Sequence, residues 1–166
     1  MPAGQRLPPS LRNIVKELQR DMGLAQPPSG SLLAWAHQGV LLLNTSLTVE
    51  EARPASHSRL GWQVLTDEIV SVVAEHPRPK VFMLWGAHAQ AKAPRVAATG
   101  SRHLVLQCNH PSPLSAARPP VPFVGCGHFG QARDYLRAAE PGVPAPDWRL
   151  DLPPSHCDEA RTNTKR

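Results

Sequence analysis

Apolar positions along this chain recur with two spacings, and the places where one gives way to the other mark its elements. Leu11, Ile14, Val15, Leu18 and Met22 follow the i, i+3, i+4 rhythm of a helix, with Ser10 as the expected N-cap behind Pro8-Pro9. Residues 31–38 can form a short helix stopped by Gly39. The solid run Val40-Leu41-Leu42-Leu43, ending at polar Asn44, predicts a strand buried on both faces. Trp62, Leu65, Ile69, Val72 and Val73 return to helical spacing as far as His76-Pro77. A second buried strand is predicted over residues 81–85, closed by Gly86, and residues 87–93 can turn helical. Residues 103–107 predict a third strand, followed by a proline-rich loop over 111–122 and a last helix near 131–139. From Glu140 onward, prolines and polar residues suggest a loosely held segment.

Strands alternating with helices imply an α/β fold with a parallel sheet covered on both faces, where ligands bind beyond the carboxyl ends of the strands. That rule selects Asn44, the Gly86-Ala87 turn, and His110 in Asn109-His110-Pro111-Ser112-Pro113-Leu114-Ser115 as the positions to inspect. Asn44 carries a donor and an acceptor and can read the edge of a base, although on pattern alone an asparagine there more often caps a turn or a helix. His110 is held by the two prolines after it; a plain surface or core histidine is the competing reading. Gly86-Ala87, opening a helix, would present backbone amides to a phosphate.

Composition narrows the class. The 166 residues suit one α/β domain, and 18 basic against 13 acidic side chains give a net charge of +5, which favours polyanionic partners. The three cysteines form no CxxC pair and no closed disulfide framework, and no apolar run is long enough for a membrane span or secretory signal, so a cytoplasmic protein is expected. Gly125-Cys126-Gly127-His128-Phe129-Gly130 has GxGxxG spacing but lacks the downstream strand that a dinucleotide fold needs, and that reading is set aside. Cys126 and His128 alone are two ligands where structural zinc takes four, so no metal is expected.

Four segments occur in a fixed order: Leu-Pro-Pro-Ser-Leu-Arg-Asn-Ile at 7–14, Gln-Gly-Val-Leu-Leu-Leu-Asn at 38–44, Leu-Trp-Gly-Ala-His-Ala-Gln at 84–90, and His-Pro-Ser-Pro-Leu-Ser at 110–115. Together with Ser56-His57 and Gly61-Trp62 between them, they resemble family 1 uracil-DNA glycosylase from about Pro8 to Trp148. The resemblance implies a three-layer α/β/α fold with a short parallel sheet. It also implies a base-excision repair enzyme that flips uracil out of DNA and hydrolyses its N-glycosidic bond, leaving an abasic site. Such an enzyme acts as a monomer on uracil-containing DNA and uses no metal or organic cofactor.

By the same resemblance Asn44 is the uracil reader, His110 hydrogen-bonds uracil O2 as the bond breaks, and Leu114 is the wedge that fills the emptied stack. Ser112 and Pro113, Pro8-Pro9-Ser10, and Gly86-Ala87 correspond to three loops that grip the DNA backbone. Ala87 stands where the family commonly has a serine.

The family's Gly-Gln-Asp-Pro-Tyr-His motif does not occur; Gly4-Gln5 runs straight into Arg6-Leu7. With that motif go the water-orienting aspartate, the tyrosine that excludes thymine, and a phenylalanine that stacks on uracil. The expectation is therefore an incomplete domain over 1–148 with one central strand missing between 40–43 and 81–85, and a loose tail over 149–166. An in-frame upstream segment is expected to encode the missing motif. Weak activity, or a catalytically silent DNA-binding remnant, is the corresponding functional expectation.

Overall fold

A computed structural model of the protein describes residues 7–53 and 55–151. Gly4-Gln5, Cys157 and the expected tail beyond residue 151 lie outside the described residues.

Strand β1 (Val81–Trp85) pairs in parallel with β2 (Leu104–Cys108), in register from Val81 opposite Leu104 to Trp85 opposite Cys108. Side chains alternate across a strand, so each strand faces two layers. Val81, Met83 and Trp85 join a core of Leu18, Trp35, Phe129, Ala132, Trp148 and Leu150. That core is supplied by α1 (Pro9–Met22), α2 (Leu33–His37) and α6 (His128–Ala139). Phe82 and Val105 point the other way, against Val70, Ala74 and Val96. These come from α3 (Trp62–Glu75) and α5 (Ala93–Ala97). The result is a three-layer α/β/α arrangement with a short parallel sheet. No helix among the described residues is long and apolar enough to cross a membrane.

Several expectations need correction. Residues 40–43 form no strand, and Leu41 and Leu42 are 60% and 51% exposed. A doubly buried strand needs a ladder partner, yet among the described residues β1 pairs with β2 alone. Val40 donates its N–H to Trp35 O at 3.1 Å and packs on one core, while Leu43 packs on the other. Along α3 the buried positions are Thr66, Val70 and Ala74, and Leu65 and Val72 face outward. Ser10 is not the N-cap of α1. The helix starts at Pro9 with Pro8 as its cap and no side-chain cap bond, because proline's fixed φ and missing N–H suit the first turn.

The loose segment expected from Glu140 fails at residues 147–150. Trp148 and Leu150 are buried, Trp35 Nε1–H donates to Trp148 O at 2.9 Å, and Trp148 Nε1–H donates to Phe129 O at 3.1 Å. Both indole donors are satisfied as their rings bury, so the segment is anchored by its aromatic residue.

Candidate active site at the carboxyl ends of the strands

The chain leaving β2 folds into a tight, self-bonded loop. Asn109 N–H donates to Val121 O at 2.8 Å, and its side-chain amide donates to Arg118 O at 2.6 Å, closing the base of the loop. Inside it, Ser115 and Ala116 N–H donate to Ser112 O at 3.0 and 2.8 Å, and Ser115 Oγ donates to His110 O at 2.9 Å. Pro111 and Pro113 fix φ at two further positions, so little backbone freedom remains to be lost on binding. At the tip Leu114 is 78% exposed. An apolar side chain presented to water on a rigid loop is suited to insertion into something else.

His110 is set in one tautomer. Ser112 N–H donates to its Nδ1 at 3.0 Å, so Nδ1 must accept and the proton of the neutral ring sits on Nε2. Partial burial of the ring lowers its pKa below the ordinary 6.5. At neutral pH the site therefore offers an uncharged N–H donor.

Gly86, which ends β1, makes room for that histidine. Its φ is +92°, its N–H donates to Cys108 O at 2.8 Å, and a Cβ there would stand 2.9 Å from His110 Cβ. Helix α4 (Ala87–Gln90) follows as a single turn, and Gln90 Nε2 donates to the same Cys108 O at 2.7 Å. Gly86→Ala would combine a left-handed backbone with a steric clash, so it is expected to displace His110 and cost about 1–3 kcal/mol of stability. Chemical denaturation together with the His110 ring signals in NMR checks this; unchanged signals would mean that Gly86 does not set the ring's position.

The amino end of α1 lies against the same loop, since Asn13 Nδ2 donates to Pro111 O at 2.8 Å. Pro8, Pro9 and Ser10 are thus placed one turn from the His110 loop, and Gly86-Ala87 borders it on another side. Ser112, Pro113 and Leu114 belong to the loop itself. Asn44 is exposed and makes no side-chain hydrogen bond among the described residues, and nothing ties it to His110.

Sequence reasoning missed the groups that hold this arrangement. Glu17 is buried on α1 and accepts from Gly125 N–H at 2.8 Å and Gly127 N–H at 3.0 Å. Asp21 accepts from Gly130 N–H at 2.9 Å. The GxGxxG amides are thereby occupied by carboxylates of the protein's own first helix. The available signal was a charge within an apolar stripe, Glu17 standing between Ile14 and Leu18. A cavity of about 460 Å³ lined by Val96, Ala97, Gly100, Ser101, His103 and Val105 lies at the opposite, amino end of β2. Its histidine is structural: His103 Nδ1 accepts from Lys80 N–H at 3.1 Å, and Nε2 donates to Ala74 O at 2.7 Å.

A three-layer fold with a rigid, donor-bearing loop beyond its strands belongs to the α/β class, in which ligands as a rule bind at that rim. The Uracil DNA glycosylase superfamily model matches residues 3–137, and the chain belongs to that superfamily. The uracil-DNA glycosylase of Albidiferax ferrireducens is 59% identical, over 80% of this chain and 58% of the relative. That of Bordetella avium is 53% identical, over 89% of this chain and 58% of the relative. Among solved structures, mimivirus uracil-DNA glycosylase aligns with a TM-score of 0.75 at 27% identity, over 90% of this chain and 58% of that one. The chain thus spans 58% of the length of these relatives.

Proposed function

We propose that this chain binds uracil-containing DNA, accepts an extruded uracil, and hydrolyses its N-glycosidic bond to leave an abasic site. The observation that carries this reading is His110, neutral and held with Nε2–H unpartnered among the described residues, on a loop bordered by Gly86 and by the amino end of α1. As the bond from sugar to base breaks, negative charge gathers on the uracil ring and its O2. A preorganised neutral donor stabilises that charge without first giving up a proton of its own. Leu114 occupies the gap that the extruded nucleotide leaves, and Ser112, Pro113, Pro8-Pro9-Ser10 and Gly86-Ala87 contact backbone phosphates. The protein works as a cytoplasmic monomer on DNA, without metal or organic cofactor.

The direct test is release of free uracil from a single-deoxyuridine oligonucleotide, with a thymidine oligonucleotide as control. Uracil release above the control supports the reading. No release, with salt-sensitive binding retained, supports the second one, a DNA-binding remnant that cannot activate water. The observation favouring that second reading is that the sequence carries no Gly-Gln-Asp-Pro-Tyr-His motif, whose aspartate orients water in the family. No release and no binding would defeat both.

Asn44 is proposed as the uracil reader, its amide nitrogen donating to O4 and its oxygen accepting from N3–H. Cytosine presents the reverse pattern, and each mismatched buried pair costs about 1–3 kcal/mol. Asn44→Asp is therefore expected to improve cytosine relative to uracil by roughly 10-fold or more. Competing deoxyuridine and deoxycytidine oligonucleotides measure the ratio, and an unchanged ratio removes Asn44 from this role.

A further inference from the structure

Two residues ahead of His110, where β2 enters the loop, Cys108 belongs to a cluster that the proposed reaction does not use. Cys108 ends β2 and is fully buried, Cys126 is half-buried just ahead of α6, and His128 opens that helix. The two sulfurs and a His128 nitrogen all lie within 4.8 Å of one another. His128 Nδ1 already accepts from Trp85 Nε1–H at 3.0 Å, and a metal on that nitrogen would strip the indole of its partner. The two neighbouring sulfurs have chemistry of their own, which needs no metal.

We propose that Cys126 and Cys108 are a thiol–disulfide exchange pair, oxidised by low-molecular-weight disulfides to a covalent clasp joining the two ends of segment 109–125. The inference is independent of the uracil-excision reading, although the clasped segment carries His110 and Leu114. Cys126, in the less buried of the two residues, attacks. It stands at the amino end of a 12-residue helix, where partial positive charge favours a thiolate. The neighbouring Cys108 thiol and then His128, through side chain and amide, hold the Cys126 thiol below its ordinary pKa. Cys108 is pushed in the opposite direction by Cys126 and by burial, as suits a resolving thiol. From α1, buried Glu17 adds a negative charge that raises Cys108 further; Arg20, paired with Glu17, faces the same side.

In the first step the Cys126 thiolate forms a bond to one sulfur of the small disulfide. The small S–S bond breaks, and its other half leaves as a thiolate that takes a proton from solvent. In the second step Cys108 loses its proton to solvent and bonds to Cys126 Sγ. The mixed S–S bond breaks, and the second small thiolate departs and is protonated. Two electrons pass from the cysteine pair to the small disulfide, which ends as two thiols. A rotation of the Cys126 side chain must bring the sulfurs to the bonding distance of about 2.05 Å.

The experiment uses the full chain carrying Cys157→Ser, so that only this pair reports, treated with oxidised glutathione and followed by intact mass and peptide mapping. Expected is a loss of two hydrogens with a linked Cys108–Cys126 peptide, formed at least ~10-fold faster in native protein than in urea. Adding Cys108→Ser should trap a stable glutathione adduct on Cys126, and adding Cys126→Ser should leave Cys108 unmodified. Should either variant fail to fold, the native-to-urea rate ratio of the unaltered pair decides alone. A persistent adduct on Cys126 with Cys108 intact, or a pair that links no faster natively than in urea, overturns the proposal.

Discussion

Replacing His110 by alanine is expected to slow uracil release by about 10²–10³-fold, the usual loss when one donor to a developing anion is removed, while affinity for uracil-containing DNA changes by only a few-fold. The asymmetry follows from the chemistry. In the bound ground state uracil O2 is a weak acceptor, and the bond from Nε2–H is worth little more than the water it replaces. As the glycosidic bond lengthens, O2 becomes an anionic acceptor, so the same geometry contributes mainly in the transition state. The ring must also stay neutral. Protonation would place a second N–H on Nδ1, facing the Ser112 N–H that now donates to it at 3.0 Å. Because burial lowers the His110 pKa, the neutral form persists below the ordinary 6.5, and the acidic fall in rate should begin beneath that value. Single-turnover rates and equilibrium binding, measured in a form of the protein that releases uracil, separate the two quantities. Equal losses in both would refute the role.

Where the apolar pattern was bounded by its own punctuation, the sequence was readable. The pattern and the structure agree to the residue at Val81–Trp85, because Gly86 stops the strand, and differ by a single position at Leu104–Cys108. Residues 40–43 carry an equally strong strand pattern and form none, since a strand exists only as far as a neighbour accepts its backbone bonds, and no local pattern records that neighbour. The outward turn of Leu65 and Val72 on α3 has the same character, because periodicity predicts an apolar face and not what covers it. Nothing in the pattern marks Trp148 as an anchor, since one aromatic among prolines and polar residues makes no periodic signal. The loops of the candidate site were legible because ligands gather beyond strand ends and because the motif order matched a known family. Their mutual supports, Asn13 on Pro111, Gln90 on Cys108 O and Glu17 on the glycine turn, join residues far apart in the chain, and only folding brings them together.

Glu17 is the support whose loss is expected to cost the most stability. Its carboxylate has four donors: one oxygen accepts from Arg20 Nε at 2.9 Å and Gly125 N–H at 2.8 Å, the other from Arg20 Nη2 at 2.7 Å and Gly127 N–H at 3.0 Å. Glu17→Gln keeps the volume but turns one oxygen into an NH₂ group facing donors, so at least one glycine N–H is left unsatisfied beside a weakened Arg20 contact. At about 1–3 kcal/mol for each orphaned buried donor, the variant should lose roughly 3 kcal/mol at neutral pH. Burial by itself would raise the Glu17 pKa. The Arg20 bonds and the two glycine amides outweigh it and hold the pKa below 4.5. A depressed carboxylate pKa means that this stabilisation is complete above 4.5 and is lost as pH falls through the lower folded value. Urea unfolding of both proteins should therefore show a gap of roughly 3 kcal/mol at pH 7 that narrows once the pH drops below that of the free carboxyl. Hydrogen exchange at Gly125 and Gly127 should quicken in the variant before global unfolding does, because the turn loses its acceptor while the flanking α6 remains. A gap that stays constant down to the acid transition would mean that Glu17 contributes packing alone, and that the glycine turn ahead of α6 is held by something other than this charge.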